Sequence, residues 1–284
     1  MAHEWEWNLK TGDQFAVTIQ HETASDTVVG EFQAKQTNRY KLATSWIVKS
    51  VDDQRVATIE KTIDSIQFFV DSVSPIPMSV ALDTASGTAS GKTFTGTEGT
   101  TYLKHMQTLV GKTLEMEMKP NGETKTLPNP AATQAAIDAF PKSDYVLQMF
   151  HVNAVAESET AYFPTLPTKI LAPSESWQRE SDQDVNENEA FVTTFKYVGK
   201  TESDDKVVDE FSTTVLPKKA ADRELPPGKP DPVTVSKQTG AGASFFDRTN
   251  GNFASATYRS EIVTTSDAQN TTITSDFSVT FKRK

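Results

Sequence analysis

The sequence predicts a mainly β fold of α+β type, with large antiparallel sheets in two β-rich halves and a helical segment between them. Three observations carry that reading. Threonine and serine number 38 and 23 in a chain of 284 residues, and the branched Cβ of threonine favours an extended backbone. Apolar and polar residues alternate with period two over several long stretches, as strands with one dry and one wet face require. Helical spacing is confined to about residues 100 to 163.

The first strand reads from Gln14 to Glu22. From Phe32 the even positions Phe32, Ala34, Tyr40, Leu42, Trp46 and Val48 form a dry face, while Gln33, Lys35, Thr37, Arg39, Lys41 and Lys49 form a wet one. Val56 to Asp71 follows across the turn Asp52-Asp53-Gln54, so three long strands with short connections predict an antiparallel meander. Residues 84 to 100 begin with the small, polar run Thr84 to Gly91 and read as a loop. Tyr102, Met106, Leu109 and Val110 then fall at helical spacing, with Gly111 where a helix C-terminus favours glycine. Leu114 to Met118 alternates, and Pro120-Asn121-Gly122-Glu123 turns the chain into a short return strand. Ala131 to Phe140 and Ser143 to Ala161 read as helices, the second with Val146, Leu147, Phe150, Val152, Ala154 and Val155 on a broad apolar face.

Pro164, Pro167 and Pro173 open the second β-rich half. Phe191, Phe195 and Tyr197 share one strand face, and Val207, Phe211 and Val215 another. Lys218 to Pro232 holds too many prolines for a regular element. Phe253 to Thr265 and the alternating Ile273, Phe277, Val279 and Phe281 form a hairpin across Ser266 to Gln269. The expected organisation is an N-terminal β-rich half over 1–128 with a short helix near 101–110, a helical connector over 129–166, and a C-terminal β-rich half over 167–284, packed as one unit. The openings Leu9 to Phe15 and Leu171 to Trp177 suggest a diverged duplication.

With 38 acidic and 28 basic residues the formal charge is −10. Lysine and arginine gather only at Lys282-Arg283-Lys284, a solubilising tail, so nucleic acid is excluded as a partner and an anionic membrane surface is disfavoured. Absence of cysteine excludes disulfides, zinc–thiolate sites and a cysteine nucleophile. No apolar run reaches the roughly 18 to 20 residues of a membrane-spanning helix. Met1 to Trp5 carries no signal-peptide pattern and reads as a mature chain with an initiator Met. The sequon Asn270-Thr271-Thr272 would matter only in a eukaryotic secretory pathway.

No motif assigns a catalytic residue, a metal ligand or a cofactor. Gly87 to Thr93 has three residues between its glycines where a phosphate loop has four, and no helix pattern follows it. Asp83-Thr84-Ala85 lacks the glycine and the second copy of an aspartic-protease turn. His3, His21, His105 and His151 stand far apart and read as solvated or incidental. Asp182 to Asn188 has the alternating oxygens of a calcium loop, but Glu187 and Thr193 stand where the motif needs Gly and Glu, so an acidic turn is the plainer reading. Gly240 to Asp247 precedes strand residues, and its glycines fit a bulge or close backbone packing. Scattered carboxylates leave a glycosidase-like pair open.

The chain also resembles an exported bacterial, planctomycete-type family known as a domain of unknown function. The resemblance is carried by Leu9 to Phe15, Trp46 to Val51 with Ile63 to Ile66, and Ala81 to Thr84. Further on it rests on Leu109 to Lys112, Leu114 to Met118, Pro120 to Glu123, Phe163 to Pro167, Gly240 to Asp247 and Asn250 to Phe253. Thr84 and the run Ala172 to Glu175 depart from the family pattern. The resemblance implies export, to the periplasm or the medium with the signal peptide removed, and a β-rich fold; it transfers no catalytic residue.

The expected function is non-catalytic binding of an apolar or lipid-like molecule in a concave sheet. Its motive is the number of large residues on alternating faces: Trp46, Phe68, Phe69, Phe191, Phe195, Phe277 and Phe281. A structural or partner-binding envelope protein, using sheet edges or acidic faces, is the alternative. A hydrolase with an unrecognised carboxylate pair comes third.

Overall fold

The computed structural model describes residues 5–73, 77–93, 95–139, 165–167, 171–181, 191–203, 206–217, 234–266 and 269–284. β1 (Gln14–Val29), β2 (Phe32–Val51) and β3 (Ala57–Ser72) form the expected meander. Next come β4 (Met78–Asp83), β5 (Thr88–Lys92), α1 (Gly99–Leu109), β6 (Thr113–Met118), β7 (Thr124–Thr126) and α2 (Ala131–Asp138). The second half contributes β8 (Ser176–Ser181), β9 (Phe191–Ser203), β10 (Lys206–Pro217), β11 (Thr234–Asp247), β12 (Asn252–Thr265) and β13 (Gln269–Arg283). The expected helix over Ser143 to Ala161 and the proline-rich loop after Lys218 lie outside the described residues.

The two β-rich halves join in one sheet. β1 pairs antiparallel with β13 along its whole length, from Phe15 opposite Arg283 to Val29 opposite Gln269. The strand order is β5-β4-β3-β2-β1-β13-β12-β11-β10-β9-β8, with β6 on the free side of β3 and β7 beside β6. α1 packs on β4 and β5 and buries Tyr102, Leu103, Met106 and Leu109. Gly111, at φ +78°, follows its C-cap in the left-handed region.

Three expectations change. The stretch read as a loop from residue 84 is a hairpin: residues 84–87 turn and Thr88 to Lys92 form β5. Its turn is closed by the Asp83 carboxylate, which accepts the Ala85 amide at 2.8 Å; small polar residues here mark an edge strand, not a break. Phe32, placed on the dry face, is 75% exposed, because the β1–β2 ribbon runs past the core and the face has nothing to pack on. Val207 is exposed for another reason: the β9–β10 register shifts between Glu210 and Phe211, so Val207 does not share the buried face of Phe211 and its neighbour Val208 is buried instead.

The core fills one end of the concave side of the sheet. Trp5 and Trp7 enter it from a segment without regular structure. The Trp7 amide donates to Pro120 O and the Asn8 amide to Gly251 O, both at 2.8 Å. This segment therefore ties the β6–β7 turn to the β11–β12 turn. The Trp7 ring lies 5.8 Å from Phe253 and 5.7 Å from Phe281, and the Trp5 ring 4.8 Å from Tyr197 and 5.4 Å from Phe211. Such offset and edge-on arrangements are those aromatic rings prefer. We call the resulting cluster the aromatic plug.

Asp209 anchors the plug. It is 1% exposed and accepts hydrogen bonds from Trp5 Nε1 at 2.9 Å, Tyr197 Oη at 2.8 Å and Arg248 Nη2 at 3.1 Å, with Arg248 Nε on its second oxygen. The guanidinium also lies 4.8 Å from the centre of the Trp5 ring. Burial, together with the hydrogen bond to the Asp209 carboxylate, pushes the Tyr197 phenol up to about 12. Removing the carboxylate would orphan two buried donors and a partly buried cation. Asp209→Ala should thus lower the unfolding free energy in urea by about 3 kcal/mol. Trp5 emission should shift to the red, and the Tyr197 titration, followed by ultraviolet absorbance, should move down toward 10.0. Unchanged stability would contradict the anchoring role.

Candidate functional site

Residues directly opposite one another on neighbouring strands share a face, so the registers define rows across the concave side. A floor row of Ile66, Leu42, Ile19, Val279 and Ala256 is buried throughout. Two residues higher, toward the β1–β2 turn, a second row crosses eight strands: Ala89, Leu82, Phe68, Tyr40, His21, Phe277, Tyr258 and Gly242. A rim row above it runs through Asn38, Thr23, Ser275 and Ser260 on β2, β1, β13 and β12, and continues on β3 and β4 as the buried Val70 and Val80. On β2, β1, β13 and β12 the chemistry going up the wall thus changes from aliphatic to aromatic to hydroxyl and amide.

The first seven residues of the second row line a cavity of about 990 Å³, and Ala241 supplies the part of β11. Seven adjacent strands and Ala241 of β11 contribute to this one cavity, so the sheet is concave on this side. Tyr258 reaches its position because β11 carries glycines beneath it. A Cβ on Gly242 would lie 2.3 Å from Thr257 O, and one on Gly240 1.7 Å from Tyr258 Oη. The close packing expected for Gly240 to Asp247 is thus a wall for the cavity.

His21 is the titratable imidazole of this wall. Its ring meets Tyr40 edge-on at 5.1 Å and Phe277 at 6.2 Å. Nε2 lies 3.0 Å from Ser275 Oγ and 3.3 Å from Thr23 Oγ1, and the two hydroxyls are 3.1 Å apart. Burial holds the imidazole below its usual 6.5, opposed by the negative charge of Asp276. The reading of His21 as solvated or incidental is therefore corrected. The signal was present: His21 continues the odd-numbered dry face of Phe15, Val17 and Ile19.

The charged neighbours Glu22, Arg39, Arg259 and Asp276 alternate along their strands with the second row and, with Lys41, also belong to the lining of the cavity. Glu22 stands opposite Asp276, yet each is claimed by an arginine: Glu22 Oε2 by Arg39 Nε at 2.9 Å and Asp276 Oδ1 by Arg259 Nε at 3.7 Å. Phe69 is in the same alternate row, with the Arg39 guanidinium 5.5 Å from its ring centre. Of the other large residues singled out, Phe68 and Phe277 line the cavity, Trp46 and Phe281 belong to the plug at 5.0 Å from each other, and Phe195 is buried beyond β10. The side chain of Phe191 lies outside the described residues, as do His3, His151 and the acidic run Asp182 to Asn188. His105 is half-exposed on α1. The Gly87 to Thr93 run forms the end of a turn and β5. Among the described residues no three His, Cys, Asp or Glu side chains gather as metal ligands, and no helix is long and apolar enough to cross a membrane.

Neither a family model nor a curated protein matches the sequence. Among solved structures, one of lipovitellin and its lipid–protein interactions is similar over 96% of this chain at 11% identity and a TM-score of 0.51. The chain spans only 25% of that protein's length, and the likeness is one of fold. An outer membrane channel from Pseudomonas putida F1 aligns over 99% of both chains at 10% identity with a TM-score of 0.27. A β-barrel-like protein of a domain of unknown function from Brucella abortus covers 97% of this chain and 99% of its own, at 10% identity and a TM-score of 0.23.

Because burial lowers the affinity of His21 for a proton, the unfolded chain binds more protons than the folded one just below pH 6.5. The stability that comes from a neutral His21 is thus present above 6.5 and lost as the pH falls below it. Denaturant unfolding on both sides of that pH should show the loss. In His21→Asn it should be smaller, and an identical acid slope in the two proteins would rule the contribution out.

Proposed function

We propose that the protein binds an apolar or lipid-like molecule, without transforming it, on the concave side of its sheet. The observation that carries this reading is the cavity of about 990 Å³ walled by Leu82, Phe68, Tyr40, Phe277 and Tyr258, with a buried aliphatic row next to them along the same strands. That volume is at the upper end of the roughly 300–1,000 Å³ common among small-molecule sites. Transferring apolar ligand surface from water to such a lining gains about 25 cal/mol per Å². Lipovitellin, similar in fold, has described lipid–protein interactions; this agrees with the reading, which rests on the lining itself. The family resemblance adds that the protein works outside the cytoplasm.

Ala89 offers a direct test, since its methyl group is part of the wall and only partly buried. Ala89→Trp should place an indole in the cavity without disturbing the floor. The wild type should carry a lipid into native mass spectrometry or bind an apolar fluorescent dye saturably. Ala89→Trp should bind at least about tenfold more weakly, a loss of about 1.4 kcal/mol, at an unchanged melting temperature. Equal binding by both proteins, or none by the wild type, would overturn the proposal.

A further inference from the structure

We propose that His21, Thr23 and Ser275 seat the polar end of the bound molecule and that this end is a carboxylate, so that the ligand is a long-chain monocarboxylic acid. This rests on the cavity being a lipid site and adds what it selects. Position is the first argument. His21 belongs to the aromatic row, whereas Thr23 and Ser275 belong to the rim row one strand repeat above it. A repeat of two residues is about 6.6 to 6.8 Å. Above Phe277 and Tyr258 the next row is Ser275 and Ser260, whereas above Phe68 it is the buried Val70, so the polar end of a chain lying in the cavity is met on the β1, β13 and β12 side.

Donor chemistry is the second argument. Two hydroxyls and an imidazole nitrogen converge with mutual distances of 3.0 to 3.3 Å, and each can present a hydrogen to a shared guest. A carboxylate only accepts and has about four lone-pair sites, so it can satisfy all three at once. An alcohol or an amine brings hydrogens of its own and must compete with those donors. The third argument is the position of fixed charge. Around His21 stand Tyr40 from β2 and, beyond Phe277, Tyr258 from β12. The charged residues beside it in the lining, Glu22 with Arg39 and Asp276 with Arg259, are ion-paired with each other, and Lys41 is a further cation of the lining. The counter-ion that stands directly against both hydroxyls is His21 after proton uptake. Burial alone disfavours the imidazolium; an anion held against it reverses that preference.

The experiment compares hexadecanoic acid, methyl hexadecanoate and hexadecan-1-ol as displacers of an apolar fluorescent dye from the full chain. NMR of the His21 ring protons is followed across pH with and without each compound. The acid should displace the dye at least about tenfold more tightly than the ester, as one charge-assisted contact supplies. It alone should raise the pH at which His21 titrates. In Ser275→Ala and Thr23→Val, conservative changes at a half-exposed rim, the acid-to-ester ratio should fall toward one. If all three compounds displace the dye equally and His21 does not move, the carboxylate seat is wrong and the lipid cavity stands. If the dye binds and none of the three displaces it, long-chain amphiphiles are wrong as a class; if no apolar probe binds at all, the cavity reading falls and this assignment with it.

Discussion

A sheet that curls has an inner face on which every second side chain of every strand converges, and this convergence governs the molecule. Pairing of β1 with β13 makes that face continuous, since it joins strands from the two ends of the chain into one surface. Toward one end the converging side chains are large: Trp7, Trp46, Phe253 and Phe281 meet ring to ring, and Trp5 meets Tyr197 and Phe211. The N-terminal segment has no strand pairing to hold it there. Its place is fixed by two backbone bonds to opposite turns and by the Asp209 carboxylate. A buried charge is justified at this point because it satisfies an indole, a phenol and a guanidinium together, where an apolar residue would leave all three unpaired.

Above the plug the same geometry produces layers. Antiparallel registers bring equivalent heights of neighbouring strands into line, so on β2, β1, β13 and β12 a change of residue type every second position becomes a change of surface chemistry, whereas at the rim height β3 and β4 carry the buried Val70 and Val80. Ile19, His21 and Thr23 on β1, beside Val279, Phe277 and Ser275 on β13, show it in three steps. The row that alternates with these obeys another logic. There Arg39, Glu22, Asp276 and Arg259 alternate in pairs whose charges cancel. These are half-exposed ion pairs, worth little in stability.

How much of this could be read from the sequence follows from what period two encodes. Parity assigns a residue to a face, so the meander, the β12–β13 hairpin and the buried phenylalanines at 277 and 281 were legible. Parity does not name a partner strand, so the pairing of β1 with β13 was not. Nor does it say where along a strand the packing stops: Phe32 and Leu42 have the same parity, but one is 75% and the other 3% exposed. Hydroxyl residues carry the same ambiguity: Thr272 and Thr274 lie on the face opposite that of Phe277, whereas Thr23, Thr27 and Thr271 lie on the inner side, the last two bonded to each other at 3.1 Å. Composition cannot separate an outer hydroxyl from one that rims a cavity. His21 is legible by parity alone, since it continues the dry face of Phe15, Val17 and Ile19.

The cavity opens to solvent, so it is a cleft and not a sealed void in the core, and the hydrogen-bonded strands that wall it cannot collapse into it without losing their registers. The space has to be occupied, by water entering over the hydroxyl rim or by a molecule whose surface matches the layers. Water gains hydrogen bonds at Thr23, Ser275 and His21 but none from Leu82, Phe68 or Phe277. An amphiphile with its polar end at the rim keeps the first set of contacts and replaces the second with apolar ones. The order of the rows along the wall thus favours a guest that is apolar below and polar at its upper end.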